Sequence, residues 1–109
     1  MSRPNALWSS TEIATATGGR VEGAPFDVYG VSIDSRSVEP GDLFVALTGA
    51  RDGHDFADAA LARGATAVLA SRLVNGPSVQ VDDTFRALER LGEAARDRAP
   101  NARRAAVTG

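Results

Sequence analysis

Leu43-Phe44-Val45-Ala46-Leu47 is an unbroken apolar run, set off by a Pro40-Gly41-Asp42 turn signal. Alternate side chains leave a strand on opposite faces, so a strand that is apolar at every position is covered on both sides. A chain containing such a strand has to supply layers above and below it. The remaining sequence is organised to do so, because strand-like and helix-like segments alternate along it.

Ser9-Ser10-Thr11-Glu12 opens the first helix signal, with Ser9 placed to cap the backbone and Glu12 three residues on to reach back. Ile13, Ala14 and Ala16 form its apolar stripe, and Gly18-Gly19 ends it. Arg20-Val21-Glu22 is a short strand candidate, and the alternating run from Val28 to Ile33 is a longer one. After a glycine-bounded loop, a helix is expected from about His54 to Arg63, started by Asp52 or Asp55 and stopped by Gly64. Ala65 to Ala70 and Val79-Gln80-Val81 read as further strands. Asp82-Asp83 then caps the strongest helical pattern. Its expected buried face is Phe85, Leu88, Leu91, Gly92 and Ala95, and its charged face carries Arg86, Glu89, Arg90, Glu93 and Arg96. Pro100 ends that helix, and Arg104 to Val107 opens a last strand. The expectation is an α/β, three-layer domain with a mixed, largely parallel sheet flanked by helices.

At 109 residues the chain is long enough for one core, with 43% of residues hydrophobic and 24% charged. It has no cysteine, so disulfides, thiolate metal sites and cysteine nucleophiles are excluded. A net charge of −2 argues against a nucleic-acid module held by a general basic field. All 12 basic residues are arginine, so these residues supply no Schiff-base, carbamylated or phosphate-loop lysine. No apolar stretch reads as a signal peptide or membrane span, and a cytoplasmic protein without membrane contact is expected.

Three segments could carry chemistry. Ser32-Ile33-Asp34-Ser35-Arg36 lies at a strand end, where open α/β sheets bind ligands. Ser35 offers a hydroxyl there, and Arg36 a forked cation suited to phosphate or carboxylate. The competing reading is that Asp34 and Arg36 simply pair and set the turn. Thr48 to Asp55 joins the buried strand to a helix through two glycines, a weak signal for an anion-binding loop. Asp52 and Asp55 oppose an anion and suit helix capping. His54 is the single histidine, and no second histidine or carboxylate set gives it a metal-binding partner. The third segment is Val107-Thr108-Gly109, where a strand enters a Thr-Gly turn in the manner of a domain that continues.

Taken in order, these segments resemble a known family. Ser32 to Arg36, Pro40 to Leu47, Gly49 and Asp52-Gly53-His54-Asp55-Phe56 are similar to the amino-terminal domain of the Mur ligases, and within them to the MurF type. The similarity runs on through Gly64 to Val68, Val81 to Thr84 and Ala105 to Gly109, covering nearly the whole chain from Leu7. The resemblance implies a three-domain, ATP-dependent ligase of peptidoglycan synthesis and cell-wall biogenesis. Residues 1–105 would be its UDP-substrate-binding domain and 106–109 the first residues of the central ATP-binding domain. Ile33, Ser35, Gly49, Ala50 and Arg51 then become the expected uridine or diphosphate contacts. Asp34, Arg36, Asp52 and His54 are motif members that order turns, and Gly109 stands at the start of the ATP phosphate loop.

The resemblance further implies a substrate, UDP-N-acetylmuramoyl-tripeptide, anchored here by its UDP end. In the parent enzyme ATP, with magnesium, would phosphorylate the tripeptide carboxylate, and the amine of D-alanyl-D-alanine would attack the acyl phosphate. None of that chemistry falls on these residues, which are expected to hold no cofactor or metal, to bind without catalysing, and to be monomeric. The nearest rival is the MurE type, which adds the third amino acid. A free-standing, non-catalytic binding domain of the same fold is the rival from another class. An unrelated small α/β enzyme would need a catalytic constellation that the sequence does not offer.

Overall fold

A computed structural model describes residues 6–47 and 56–98 of the chain. Its centre is a five-stranded sheet in the order β2-β7-β6-β5-β4. The strands are β2 (Arg20–Glu22), β4 (Gly30–Ser32), β5 (Asp42–Val45), β6 (Ala67–Ala70) and β7 (Ser78–Gln80). Strands β4 to β7 run parallel, and β2 pairs antiparallel with β7. The sheet is therefore mixed and largely parallel, as the alternating pattern predicts. A two-residue ribbon, β1 (Trp8–Ser9) with β3 (Asp27–Val28), lies outside it.

The apolar runs dictate the layers. The register sets Leu43 beside Ala67, Phe44 beside Val68 and Val45 beside Leu69, so each face of the sheet is continuous across strands. Leu43, Val45, Ala67, Leu69 and Val79 share one core with Trp8 and Val28, Ile13 of α1 (Ser10–Thr17), and Ala87 and Leu91 of α3 (Thr84–Arg98). Phe44, Ala46, Val68 and Ala70 share the other with Val38, Ala65, and Ala57 and Ala60 of α2 (Ala57–Ala62). These make the three layers.

Local chemistry sets the helix ends. The Glu12 amide donates to Ser9 Oγ at 3.1 Å, and the Ser9 amide donates to Glu12 Oε1 at 2.8 Å, completing the expected capping box of α1. Gly18, at φ 76°, closes the helix in the left-handed region that glycine adopts without strain. Helix α2 ends before Gly64, at φ 114°, where a Cβ would stand 2.9 Å from Pro40 Cα. It begins at Ala57, later than the expected start near His54, with Phe56 rather than an aspartate at its N-cap and no side-chain cap bond. Asp52, His54 and Asp55 themselves lie outside the described residues, as do Pro100 and the strand expected at Arg104 to Val107.

Two expectations need correction. The strand read as Val28 to Ile33 is broken in two: Val28 turns inward to pair with Trp8, and only Gly30–Ser32 joins the sheet. Gly30 permits the close approach, since a Cβ there would run into the Asp42 carboxylate. The face of α3 is also partly rotated from the one expected, keeping Leu88 and Leu91 but not Phe85, Gly92 or Ala95. Thr84, Ala87 and Leu91 are buried with Leu88 and Ala94 packed beside them, whereas Phe85 is 60% exposed and Gly92 and Ala95 face outward. The cause is a tether remote in sequence: the buried Thr84 hydroxyl donates to the Ala46 carbonyl at 2.9 Å. That bond turns position 84 towards the sheet, and positions 87 and 91 follow at helical spacing.

Candidate functional site

Because β4 to β7 are parallel, their carboxyl ends gather at one edge of the sheet, the edge where open α/β sheets bind ligands. A cleft of about 720 Å³ opens there, lined by Ile33, Asp34, Ser35, Arg36, Phe44, Leu47 and Phe56. Small-molecule sites span roughly 300–1,000 Å³, so the volume suits a ligand of nucleotide size. The lining is divided. Ile33, Phe44, Leu47 and Phe56 make an apolar side, and Asp34, Ser35 and Arg36 a polar lip.

The polar lip is built by a compact set of hydrogen bonds as the chain leaves β4. The Ser32 hydroxyl donates to the Asp34 carbonyl at 2.9 Å, and the Asp34 amide lies 3.3 Å from the same hydroxyl oxygen. Residues Ser35–Ser37 then form a single 3-10 turn, capped by the Asp34 side chain, which accepts from the Arg36 amide at 2.9 Å. The Arg36 guanidinium closes on the same carboxylate as a fork. Its Nε donates to Oδ1 at 3.2 Å and its Nη2 to Oδ2 at 3.0 Å. These side-chain bonds, and then the backbone bond, hold the Asp34 carboxyl below its ordinary pKa, and the same carboxylate pushes Arg36 up. Both groups are charged at neutral pH.

The apolar side comes from three elements. Phe44 is a β5 residue buried against the α2 layer, and its edge forms part of the cleft. Leu47 packs against the opposite core, and Phe56 packs beside α2. Ile33, the first residue past β4, is 58% exposed. An exposed isoleucine beside two phenylalanines offers a flat apolar group a surface to lie on.

Of the residues singled out by sequence, Ile33, Asp34, Ser35 and Arg36 are brought together in this cleft. Gly49, Ala50, Arg51, Asp52 and His54 lie outside the described residues, as does Gly109. The two described residues that flank them, Leu47 and Phe56, both line the cleft. Phe44, Leu47 and Phe56 were not singled out as site residues. The signal for Phe44 and Leu47 was the apolar run, which becomes part of a site only once the parallel register sets β4 beside β5. Phe56 lies outside that run and joins the cleft through its packing beside α2. A second hollow of about 390 Å³, between α1 and α3, is lined mainly by Arg86, Glu89, Arg90, Glu93 and Asp97 and has no comparable apolar side.

Among the described residues no group of three His, Cys, Asp or Glu side chains could hold a metal ion. The chain has no lysine for a triphosphate either, so the residues on view do not fit ATP with magnesium. No helix among the described residues is long and apolar enough to cross a membrane.

The fold and the cleft thus define a three-layer α/β domain with an open cleft beyond the carboxyl ends of its parallel strands. Comparison with known proteins makes the class specific. A model described as "Mur ligase family, catalytic domain" matches residues 27–109. The chain is 41% identical over 102 residues to the UDP-N-acetylmuramoyl-tripeptide--D-alanyl-D-alanine ligase of Escherichia coli (strain K12), covering 91% of this chain and 22% of that protein. It is 46% identical over 71 residues to the UDP-N-acetylmuramoyl-L-alanyl-D-glutamate--2,6-diaminopimelate ligase of Geobacillus thermodenitrificans (strain NG80-2), covering 62% of this chain and 14% of that one. A crystal structure of MurF from Acinetobacter baumannii superposes with a TM-score of 0.77 at 29% identity, covering 84% of this chain and 21% of the other. The chain belongs to the Mur ligase family. It spans about a fifth of the length of the E. coli relative.

Proposed function

We propose that these residues bind the UDP end of UDP-N-acetylmuramoyl-tripeptide for a MurF-type ligase, an ATP-dependent enzyme that joins D-alanyl-D-alanine to it in peptidoglycan synthesis. Residues 1–105 form the substrate-binding domain, and 106–109 begin the central ATP-binding domain. The observation that carries this reading is the divided cleft at the carboxyl ends of β4 and β5. Its apolar side suits a pyrimidine ring, and its polar lip suits the phosphates that follow. The names of the E. coli relative and the A. baumannii structure support the MurF type.

In this reading Ile33 and Ser35 contact uridine or diphosphate, with Gly49, Ala50 and Arg51 reaching the same ligand from the segment between Leu47 and Phe56. Asp34, Arg36, Asp52 and His54 order the turns. ATP and magnesium act on residues beyond those described. The contribution of this domain is remote binding energy, which orients a reacting carboxylate held elsewhere. The enzyme works in the cytoplasm as a monomer. The MurE type is the second reading, favoured by the 46% identity to the G. thermodenitrificans ligase; it predicts the same UDP site and a different amine substrate.

Titration of the 109-residue chain with UDP or UDP-N-acetylmuramic acid, followed by amide shifts, tests the site. Shifts are expected across residues 32–36 and 49–51, with none from ATP at equal concentration. Ser35→Ala and Arg51→Ala are expected to weaken binding while leaving the fold intact. Shifts confined to α3, or unchanged binding in both variants, would sink the assignment.

A further inference from the structure

The Asp34–Arg36 pair does more than a turn requires. The turn is already closed without the guanidinium: the Ser37 amide donates to the Asp34 carbonyl at 2.9 Å, and the Arg36 amide donates to the Asp34 side chain at Oδ1. The additional two-point fork does not tie Arg36 to the protein core, since the arginine side chain is 88% exposed. What the fork does is fix the direction of the guanidinium plane. Nε and Nη2 face the carboxylate, and among the described residues Nη1 has no acceptor. Arg36 lines the cleft next to Ser35, whose hydroxyl likewise makes no hydrogen bond among the described residues.

The geometry points to Arg36 as a direct contact to the diphosphate of a nucleoside diphosphate, with Asp34 as the positioning residue that aims it. This rests on the UDP-binding reading above and extends it by giving the polar lip a direction. The base lies against Ile33, Leu47 and Phe56, and the phosphates leave past Ser35 towards Arg36. A free arginine side chain loses considerable rotamer freedom when it grips a ligand. Asp34 imposes that ordering before the ligand arrives, which is the advantage of preorganisation. The pair is neutral overall, so its effect is at contact range rather than a long-range pull on anions.

Uridine, UMP and UDP are titrated into the 109-residue chain and its variants, with amide shifts giving affinity and location together. Arg36→Ala is expected to weaken UDP by roughly tenfold, the scale of one charge-assisted hydrogen bond, and to leave uridine unchanged. Arg36→Lys keeps the charge without the fork and should fall between. Asp34→Asn is the sharper variant, because it retains an acceptor for the Arg36 amide but cannot close the fork. Simple electrostatics predicts that removing a negative charge tightens an anion; positioning predicts weaker UDP binding with uridine unaltered. Equal losses for uridine and UDP, or no loss for either, would overturn the Arg36 contact, and tighter UDP binding by Asp34→Asn would overturn the role of Asp34. If the unaltered chain binds neither uridine nor UDP in the cleft, the UDP reading fails, and this inference falls with it. Uridine binding in the cleft with no gain from the diphosphate would leave that reading standing and remove this inference alone.

Discussion

The two faces of the sheet are built from different stock. On the α1/α3 side the core holds Trp8, Ile13, Leu43, Val45, Leu69 and Leu91, with α1 closed at its start by a two-way cap. On the α2 side it is largely alanine, namely Ala46, Ala57, Ala60, Ala65 and Ala70 around Phe44 and Val68, and α2 is six residues long with no side-chain cap at Phe56. Large side chains bury more apolar area, so the first face contributes most of the hydrophobic stabilisation. Small ones let a short helix approach the sheet closely, leaving Phe44 and Phe56 as the large groups at the cleft. One face holds the fold while the other shapes the site.

The largest effect should come from the thick face. Leu69 is fully buried in the central region of the sheet, and Leu69→Ala is expected to cost about 2–5 kcal/mol in urea unfolding. The UDP response of the fraction that stays folded should be unchanged, since Leu69 faces away from the α2 layer. A change in which amides UDP perturbs would mean that the two faces are not separable. Ala60→Leu tests the thin face from the opposite direction, by overfilling it. The expected cost is smaller, about 1–3 kcal/mol, but UDP affinity should drop with it, because Ala60 and Phe44 share one small core. Full affinity in Ala60→Leu would show that the cleft is independent of the α2 layer.

Thr84 joins the halves, since it belongs to α3 and donates to the carbonyl of Ala46, which lies between Val45 and the cleft residue Leu47. Thr84→Val keeps the shape and removes the donor, leaving a buried carbonyl unpaired at an expected cost of about 1–2 kcal/mol. Thr84→Ser should recover most of that, and the amides near Leu47 should follow the hydroxyl rather than the methyl. Equal stability of the valine and serine variants would remove the hydrogen bond from the account of how α3 is oriented.

That same bond marks where sequence reading stops. The capping box of α1 was legible because its partners lie three residues apart, and β5 and β6 were legible because their apolar runs require cover on both faces. The buried face of α3 was legible only in part: Leu88 and Leu91 lie on the expected face, but the burial of Thr84 and Ala87 in place of Phe85, Gly92 and Ala95 depends on Thr84 meeting Ala46, 38 residues away. The β1–β3 ribbon is two residues long and too short for any periodicity. At the cleft, the polar lip was visible as serine and arginine at a strand end. The apolar side was not, since Phe44 and Leu47 become neighbours of Ile33 only through the register of β4 against β5, and Phe56 only through its packing beside α2.

The smallest effect, a pH dependence, separates the polar lip from both cores. Arg36 holds the Asp34 carboxyl below its ordinary pKa, chiefly through the side-chain hydrogen bonds. A depressed carboxylate pKa means that the pair's stabilisation is present above the unfolded-state value and is lost as pH falls through the lower folded value. The pair should therefore persist to lower pH than an unpaired aspartate would allow, opening as pH falls through the lowered folded-state value. Global stability should scarcely register the loss, because both side chains are substantially exposed and exposed ion pairs contribute little. The carboxyl carbon of Asp34, followed by NMR, should titrate below the ordinary aspartate value in the unaltered chain and shift upward in Arg36→Ala. Equal midpoints in the two proteins would mean that the fork is not populated in solution. A shift without change in the urea midpoint would locate the pair's work at the cleft, where an exposed ion pair can aim a side chain without holding up the fold.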